Sequence, residues 1–278
     1  MAGRIVLIGA GRMGGALLKG WLANGLSSVE VVEPNPSSLL RALARKRAIA
    51  LYDRIEAVRP MNIRVCVIAL KPQILKIEAP KLKAIAQSSA LMLSIAAGTR
   101  IATLVKAWGR GPRIIRAMPN TPGAIGRGIT AIYTPPGAKF ADRKLAQSLL
   151  APLGETILVS REALIDTVTA VSGSGPAYVF LMVEALAAAG EKEGLPREAA
   201  EKLARATITG SGALLDAEAR HPSELRRDVT SPHGTTEAAL KILLSRNGLH
   251  SLMARAVAAA RKRGAELGLD ASSPPAQR

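Results

Sequence analysis

The chain has 278 residues, of which 48% are hydrophobic but only 3% aromatic, so it has room for two domains whose cores must be built from Ala, Leu, Ile and Val. The formal net charge is +17, but its basic clusters are short, as in RKR at 45–47 and 261–263, and few aromatics are available to stack on bases. The charge therefore reads as a basic surface that attracts anionic small molecules, without the long basic tail of a nucleic-acid-binding protein. No uncharged apolar run of about 18 residues suggests a membrane span, and the opening MAGRIVLIGAGRMGG breaks too soon into glycines to be a targeting segment.

In chain order, RIVLI at 4–8 is a short apolar strand that enters a glycine-rich turn. GALLKGWLANG at 15–25 follows as a helix that ends at Gly25. VEVVE at 29–33 is a second strand, and SSLLRALARK at 37–46 is a helix with serines at its start and bases at its end. VCVIAL at 65–70 is a third strand, closed by Lys71 and Pro72. The one cysteine, Cys66, lies inside it, reads as a buried structural thiol and fits a reducing cytoplasm. LMLSI at 91–95, RIIRAM at 113–118, ITAIY at 129–133 and ETILV at 155–159 complete the strands. Strands and helices that alternate, with continuous apolar strands, predict a parallel sheet covered on both faces: an α/β, Rossmann-like, doubly wound domain over residues 1–161.

From Glu162 the text becomes helical, with Pro176, Pro196 and Pro222 at starts and Gly194, Gly248 and Gly268 at ends. An all-helical second domain is expected over 162–268, followed by a disordered tail at 269–278. The helix at 176–190 is apolar on more than one face, which predicts that a second subunit covers it.

The first motif with chemistry is GAGRMG, Gly9 to Gly14, between a strand and a helix. In that context it is the dinucleotide fingerprint. Gly9 allows the tight turn, Gly11 lets a pyrophosphate approach the backbone, and Gly14 lets the helix lie on the sheet. The cofactor-binding candidates here are Ile8, Gly9, Ala10, Gly11, Arg12, Met13 and Gly14. Glu33, roughly 20 residues beyond, suits the ribose hydroxyls of NAD, whereas Asn35, Ser37, Ser38 and Arg41 suit the extra phosphate of NADP. The choice between NADP(H) and NAD(H) stays open. Three more strand ends are candidates for the nicotinamide rim: Ala69-Leu70-Lys71-Pro72, Ala96-Ala97-Gly98 and the turn holding Asn120.

In the helical half, SGSGPAY at 172–178 and SPHGTT at 231–236 both precede helices. One hydroxyl would suffice as a cap. Ser231, Thr235 and Thr236 beside Gly234 suit either plain capping or a bound carboxylate. No Cys/His/acid cluster has metal-ligand spacing, so no metal is expected.

GAGRMG, ALKP, RAMPNTPGAIGRG, AVSGSGPAYVF and SPHGTT, in this order, resemble the Δ1-pyrroline-5-carboxylate reductase family over about residues 4 to 268. The resemblance implies reduction of a cyclic imine to L-proline by NAD(P)H, in a homodimer or a larger ring of dimers, with active sites between the nucleotide domain of one subunit and helices of another. It also implies that Ser231, Gly234, Thr235 and Thr236 hold the substrate, with Thr236 near the imine nitrogen as the catalytic candidate. By the same resemblance Asn120, Glu162, Ser174 and Gly175 line the substrate pocket, and Asp228 reaches a neighbouring subunit's cofactor. Glu162 and Asp228 also read as ordinary helix-end charges, and Asn120 as the organiser of its own turn. The chain departs from the family at His233, where glycine is usual, and at Arg64, where aspartate commonly opens the strand. A related imine reductase and a non-catalytic nucleotide or nucleic-acid binder are the competing functions.

Overall fold

The structure, a computed structural model, describes residues 3–270. Strands β1 (Arg4–Ile8), β2 (Val29–Val32), β3 (Ala50–Tyr52), β4 (Ile63–Ile68), β5 (Leu91–Ser94), β6 (Arg113–Met118), β7 (Gly128–Tyr133) and β8 (Gly154–Val159) form one sheet. Its order is β3-β2-β1-β4-β5-β6-β7-β8. Helices α1 (Arg12–Ala23), α2 (Ser38–Arg45), α3 (Pro72–Glu78), α4 (Lys83–Ala86), α5 (Ile101–Trp108) and α6 (Phe140–Leu150) connect the strands.

All the expected strands are present close to their expected bounds, and the doubly wound class holds. One strand is additional. β3 is three residues long, pairs only with β2, and is too short to carry a pattern. The expected parallel sheet has one reversal, because β6 and β7 are antiparallel. Only residues 119–127 join them, which is shorter than the dozen or so residues a parallel crossover needs.

The strand period of two sorts the core into two faces. Ile5, Leu7, Val65 and Val67 pack with Leu17 and Trp21 of α1 on one side. Val6, Ile8, Cys66 and Ile68 pack with Leu75, Leu104 and Trp108 on the other. Each tryptophan is buried, and its indole N–H donates to a backbone oxygen: Trp21 to Leu149 at 2.7 Å and Trp108 to Ala79 at 2.7 Å. Burial pushes the Cys66 thiol up to about 12, so Cys66 is an inert core residue.

The chain divides into two compact units, Met1–Gly173 with Ala260–Arg278, and Ser174–Ala259. The change to helical text at 162 thus precedes the change of unit. The reason is α7 (Leu164–Val168), which packs on β6 and β7 with Ile165 and Asp166 buried. A π-helical turn, Thr169–Gly173, ends this unit. The second unit holds α8 (Gly175–Lys192), α9 (Arg197–Ala217), α10 (Pro222–Asp228), α11 (Thr235–Leu243) and the start of α12 (Leu249–Asp270). Of the tail expected at 269–278, α12 takes Leu269 and Asp270, and residues 271–278 lie outside the described residues.

Helices α8 and α9 approach through small residues, among them Gly190, Ala200 and Ala204. Several large apolar residues of α8 are exposed: Phe180 is 62% exposed and Leu181 63%. The expectation of no membrane span concerned uncharged runs, and one stretch of spanning length carries Asp166 and Glu184. Leu164–Lys192, 29 residues with mean hydropathy 1.3, is long and apolar enough by length and composition.

Candidate active site

The carboxyl edge of the sheet is stitched by backbone bonds beyond the strands. Gly9 N–H donates to Val32 O at 2.9 Å, Ala69 N–H to Ile8 O at 2.8 Å, and Ile95 N–H to Ile68 O at 3.0 Å. These bonds hold the ends of four strands in one rim. Gly9 turns there with φ +87° and sits against Ala69 and Leu70. A β-carbon on Gly14 would lie 2.1 Å from Gly9 O, whereas one on Gly11 would meet nothing within 4 Å. Gly14 is the packing glycine and Gly11 faces open space.

Helix α1 begins at this open side. No side chain caps it and no acidic residue occupies its first turn. Its first N–H groups and the helix dipole are therefore available to an anion. A cradle that a β-carbon would fill on one side, beside open backbone on the other, fits the pyrophosphate of a dinucleotide. Ile8, Ala10, Arg12 and Met13 complete the turn, and the Met13 methyl reaches Gly123 on the β6–β7 connection.

Glu33 lies just past β2. Its Oε2 accepts the Ala10 N–H at 2.9 Å and its Oε1 accepts the Asn35 N–H at 3.2 Å. The carboxylate is thereby fixed beside the glycine turn. Ser37 caps α2 by accepting from Leu40 N–H at 3.3 Å. Lys71 is an exposed residue at the start of α3, followed by Pro72. Ala96 and Ala97 form a tight bend, where Ala96 N–H reaches Ser94 Oγ at 3.4 Å and Gly98 takes φ +64°.

Asn120 uses both ends of its amide. Oδ1 accepts the Ile129 N–H at 3.0 Å, and Nδ2 donates to Ser172 Oγ at 3.1 Å. It organises its own loop and ties that loop to the π-helical turn. Glu162 Oε1 accepts the Ile101 N–H at 2.8 Å, which caps α5, and pairs with Arg116 Nη1 at 3.1 Å. Arg116 is buried on β6, and its Nε and Nη2 have no hydrogen-bond partner among the described residues. Burial lowers its pKa and Glu162 opposes that shift. A second pair, Arg100 with Asp166 at 3.3 Å, adjoins it. Arg116, Ser172 and Asp166 are bonded neighbours of this network that the sequence reading did not single out. The one available signal was a charge in the middle of an apolar strand, RIIRAM.

In the second unit, α8 starts at Gly175, with Ser174 at the cap position and Pro176 in its first turn. Ser174 makes no capping bond and Gly175 is open on its Cβ side. Asp228, at the end of α10, is exposed and pairs with Arg220 at 2.6 Å. The loop before α11 is shaped by Gly234. A β-carbon there would lie 2.4 Å from Ser231 Oγ. No side chain caps α11, so the N–H groups near Thr235 and Thr236 open its start. His233 sits at φ +58°, and its N–H donates to Glu237 Oε2 at 2.6 Å. This position is left-handed, which is why glycine suits it. The imidazole is not part of the bond.

Two model families match. The description "Pyrroline-5-carboxylate reductase dimerisation" covers residues 162–267. "NADP oxidoreductase coenzyme F420-dependent" covers residues 4–98. A pyrroline-5-carboxylate reductase of Pseudomonas aeruginosa is 40% identical, over 95% of this chain and 96% of that one. The enzyme of Pisum sativum is 37% identical, over 94% of each. Among solved structures, a pyrroline-5-carboxylate reductase from Coxiella burnetii matches with TM-score 0.86 at 35% identity, covering 96% of this chain and 99% of that one.

Two outcomes follow from the 231–237 loop. His233→Gly keeps the fold and the loop, because relief of a left-handed residue, about 1–2 kcal/mol, offsets the chain entropy of glycine. His233→Val lowers the melting temperature, and calorimetry on both variants tests the contrast. Glu237 titrates below the ordinary glutamate range, held down first by Lys241 and then by the His233 N–H. Its folded value lies below its unfolded one, so its contribution is complete above the ordinary carboxylate range and is lost as pH falls through the folded value. The His233 amide resonance should move upfield over that acid range. In Glu237→Ala this movement should be absent.

Proposed function

The chain belongs to the pyrroline-5-carboxylate reductase family, and from that membership we propose that it reduces 1-pyrroline-5-carboxylate to L-proline with NADPH or NADH. The observation that carries the coenzyme is the uncapped start of α1 behind the Gly9 turn. The bound nicotinamide supplies a hydride, and the protein supplies binding and geometry. The start of α11 is the proposed carboxylate seat. Ser231 and Thr235 contribute hydroxyls, and Gly234 keeps the backbone open. Thr236 donates a hydrogen bond to the imine nitrogen, which makes C5 electrophilic. Reduction would add the hydride to C5 and a proton from solvent, passed through the Thr236 hydroxyl, to the nitrogen, and the C=N bond would become single. Such a transfer requires the reacting carbons at about 3–3.5 Å.

Asn120, Glu162, Ser174 and Gly175 are proposed to shape the substrate pocket. Their bonding supports positioning roles for the first two: Asn120 holds its loop, and Glu162 holds the start of α5. Asp228 is proposed to face a neighbouring subunit's coenzyme, which requires it to leave or share Arg220. The protein is proposed to work in the cytoplasm, where a lone buried thiol needs no partner.

The exposed apolar side of α8 needs a cover. The match of residues 162–267 to a dimerisation family favours a second copy of this chain. We take the assembly to be a homodimer or a ring of dimers.

Coenzyme oxidation that depends on pyrroline-5-carboxylate tests the reaction. A six-membered cyclic imine that outcompetes it would reassign the substrate. Salt-sensitive nucleic-acid binding with no imine-dependent oxidation would overturn the enzyme. Thr236→Ala should lower kcat by about 10²–10⁴-fold with coenzyme affinity retained; near-normal turnover at saturating imine would remove Thr236 from the mechanism. Phe180→Glu should convert the assembly to monomers in sedimentation velocity. A wild-type chain that is monomeric, or that partitions into vesicles, would overturn the second copy as the cover.

A further inference from the structure

The glycine turn lies at the carboxyl edge of the parallel strands. The opposite, amino edge carries a groove of about 990 Å³. Strand starts build its walls: Arg4 opens β1, Arg64 is the second residue of β4, and Arg113 opens β6. Because β7 runs against β6, the chain after β7 returns to this edge, where Lys139 joins the wall just before α6. Among the described residues, four cations and no acid line the groove.

Two of the cations are paired, and both pairs have the same orientation. Glu30 holds Arg4 and Asp142 holds Arg113. The carboxylate side chains are only 10% and 7% exposed, whereas the guanidinium side chains are 28% and 35% exposed. The acids thus lie beneath and the positive ends lie toward the groove. Carbonyl oxygens of Arg59 and Met61 also hold Arg4, and that of Ser89 holds Arg113. The side chains of Arg64 and Lys139 have no ion-pair or hydrogen-bond partner among the described residues.

Cations at this edge could serve only to oppose the negative carboxyl end of α5. That account fails for Lys139, which stands at the start of a helix, where a cation is unfavourable. A concave wall of cations without acids instead concentrates anions. Guanidinium forks suit phosphate oxygens, and such bonds are charge-assisted. β1, β4, β5 and β6 are neighbours in the sheet, so Arg4 and Arg113 open strands about 14 Å apart at the ordinary spacing of about 4.8 Å. A row of phosphates suits that span better than a single one.

We propose that this groove is a second anion site, which binds an oligophosphate with Arg64 and Lys139 as its uncommitted cations. The site is independent of the proposed reaction and of the dinucleotide at the Gly9 turn.

Isothermal titration of the full chain with inorganic tripolyphosphate and with ATP, in about 0.15 M salt, tests it. The expected dissociation constant for at least one of them is about 0.1 mM or tighter. Tighter binding of ATP marks a nucleotide as the source of the phosphates, and tighter binding of tripolyphosphate marks the inorganic chain; either supports the site. Arg64→Glu combined with Lys139→Glu should weaken binding at least about tenfold, with the melting temperature followed to show that the fold persists. Should the double variant not fold, Arg64→Gln and Lys139→Gln singly should each weaken binding by about threefold or more. Absence of binding overturns the proposal. So does binding that these variants leave unchanged, which would place the phosphates elsewhere, at the Gly9 turn among other places. Duplex DNA bound more tightly than either triphosphate would overturn it in favour of nucleic acid.

Discussion

The carbonyl oxygen of Gly9 occupies the space that a β-carbon on residue 14 would need, 2.1 Å away. The nucleotide half depends on that contact. Because residue 14 has no side chain, α1 lies directly on the end of β1 and its first N–H groups point past the sheet. Gly9 can take φ +87° because it has no β-carbon, which Ala69 and Leu70 would otherwise meet. The rim bonds from Gly9, Ala69 and Ile95 then carry the same register across four strands. A single close approach thus sets where the helix starts, which way its dipole faces and where Glu33 is caught.

The β6 side is organised by a different force. Arg116 is buried among apolar residues and holds Glu162, which in turn receives the first N–H of α5. A buried ion pair of this kind is weak evidence for stability, since desolvation offsets much of the attraction. Its value lies in geometry, because the pair ties β6 to the residue that receives the start of α5. Nε and Nη2 of Arg116 have no partner among the described residues even so, which leaves the pair short of a full hydrogen-bond complement. The ends of β6 and α5 are therefore fixed by charge, whereas the ends of β1 and β4 are fixed by shape.

The strands, the glycine turn and the helical second half were legible in the sequence because each rests on local pattern. Apolar runs of four to six residues bounded by turn residues read as strands, and GAGRMG between strand and helix reads as its turn. The reversal of β7 was legible in principle from the short connection after β6, but strand pattern carries no direction. β3 was not, since three edge residues hold no period. Glu162 was visible as an acid, but its partners lie 46 and 61 positions away, at Arg116 and Ile101. The sequence around it contains nothing that names them. The loop at 231–236 lay between these cases. Its glycine and hydroxyls were evident, and His233 was a marked departure; its left-handed backbone explains why the departure costs something.

The amide of Asn120 has a consequence for substitution. It accepts from β7 with one atom and donates to the π-helical turn with the other. Aspartate copies its outline but can only accept when ionised, and leucine copies its bulk but does neither. Every near-isostere surrenders one of the two neighbours. The position is therefore narrow in a way that size and polarity scales do not register: what it requires is a side chain with opposite polarity at its two tips.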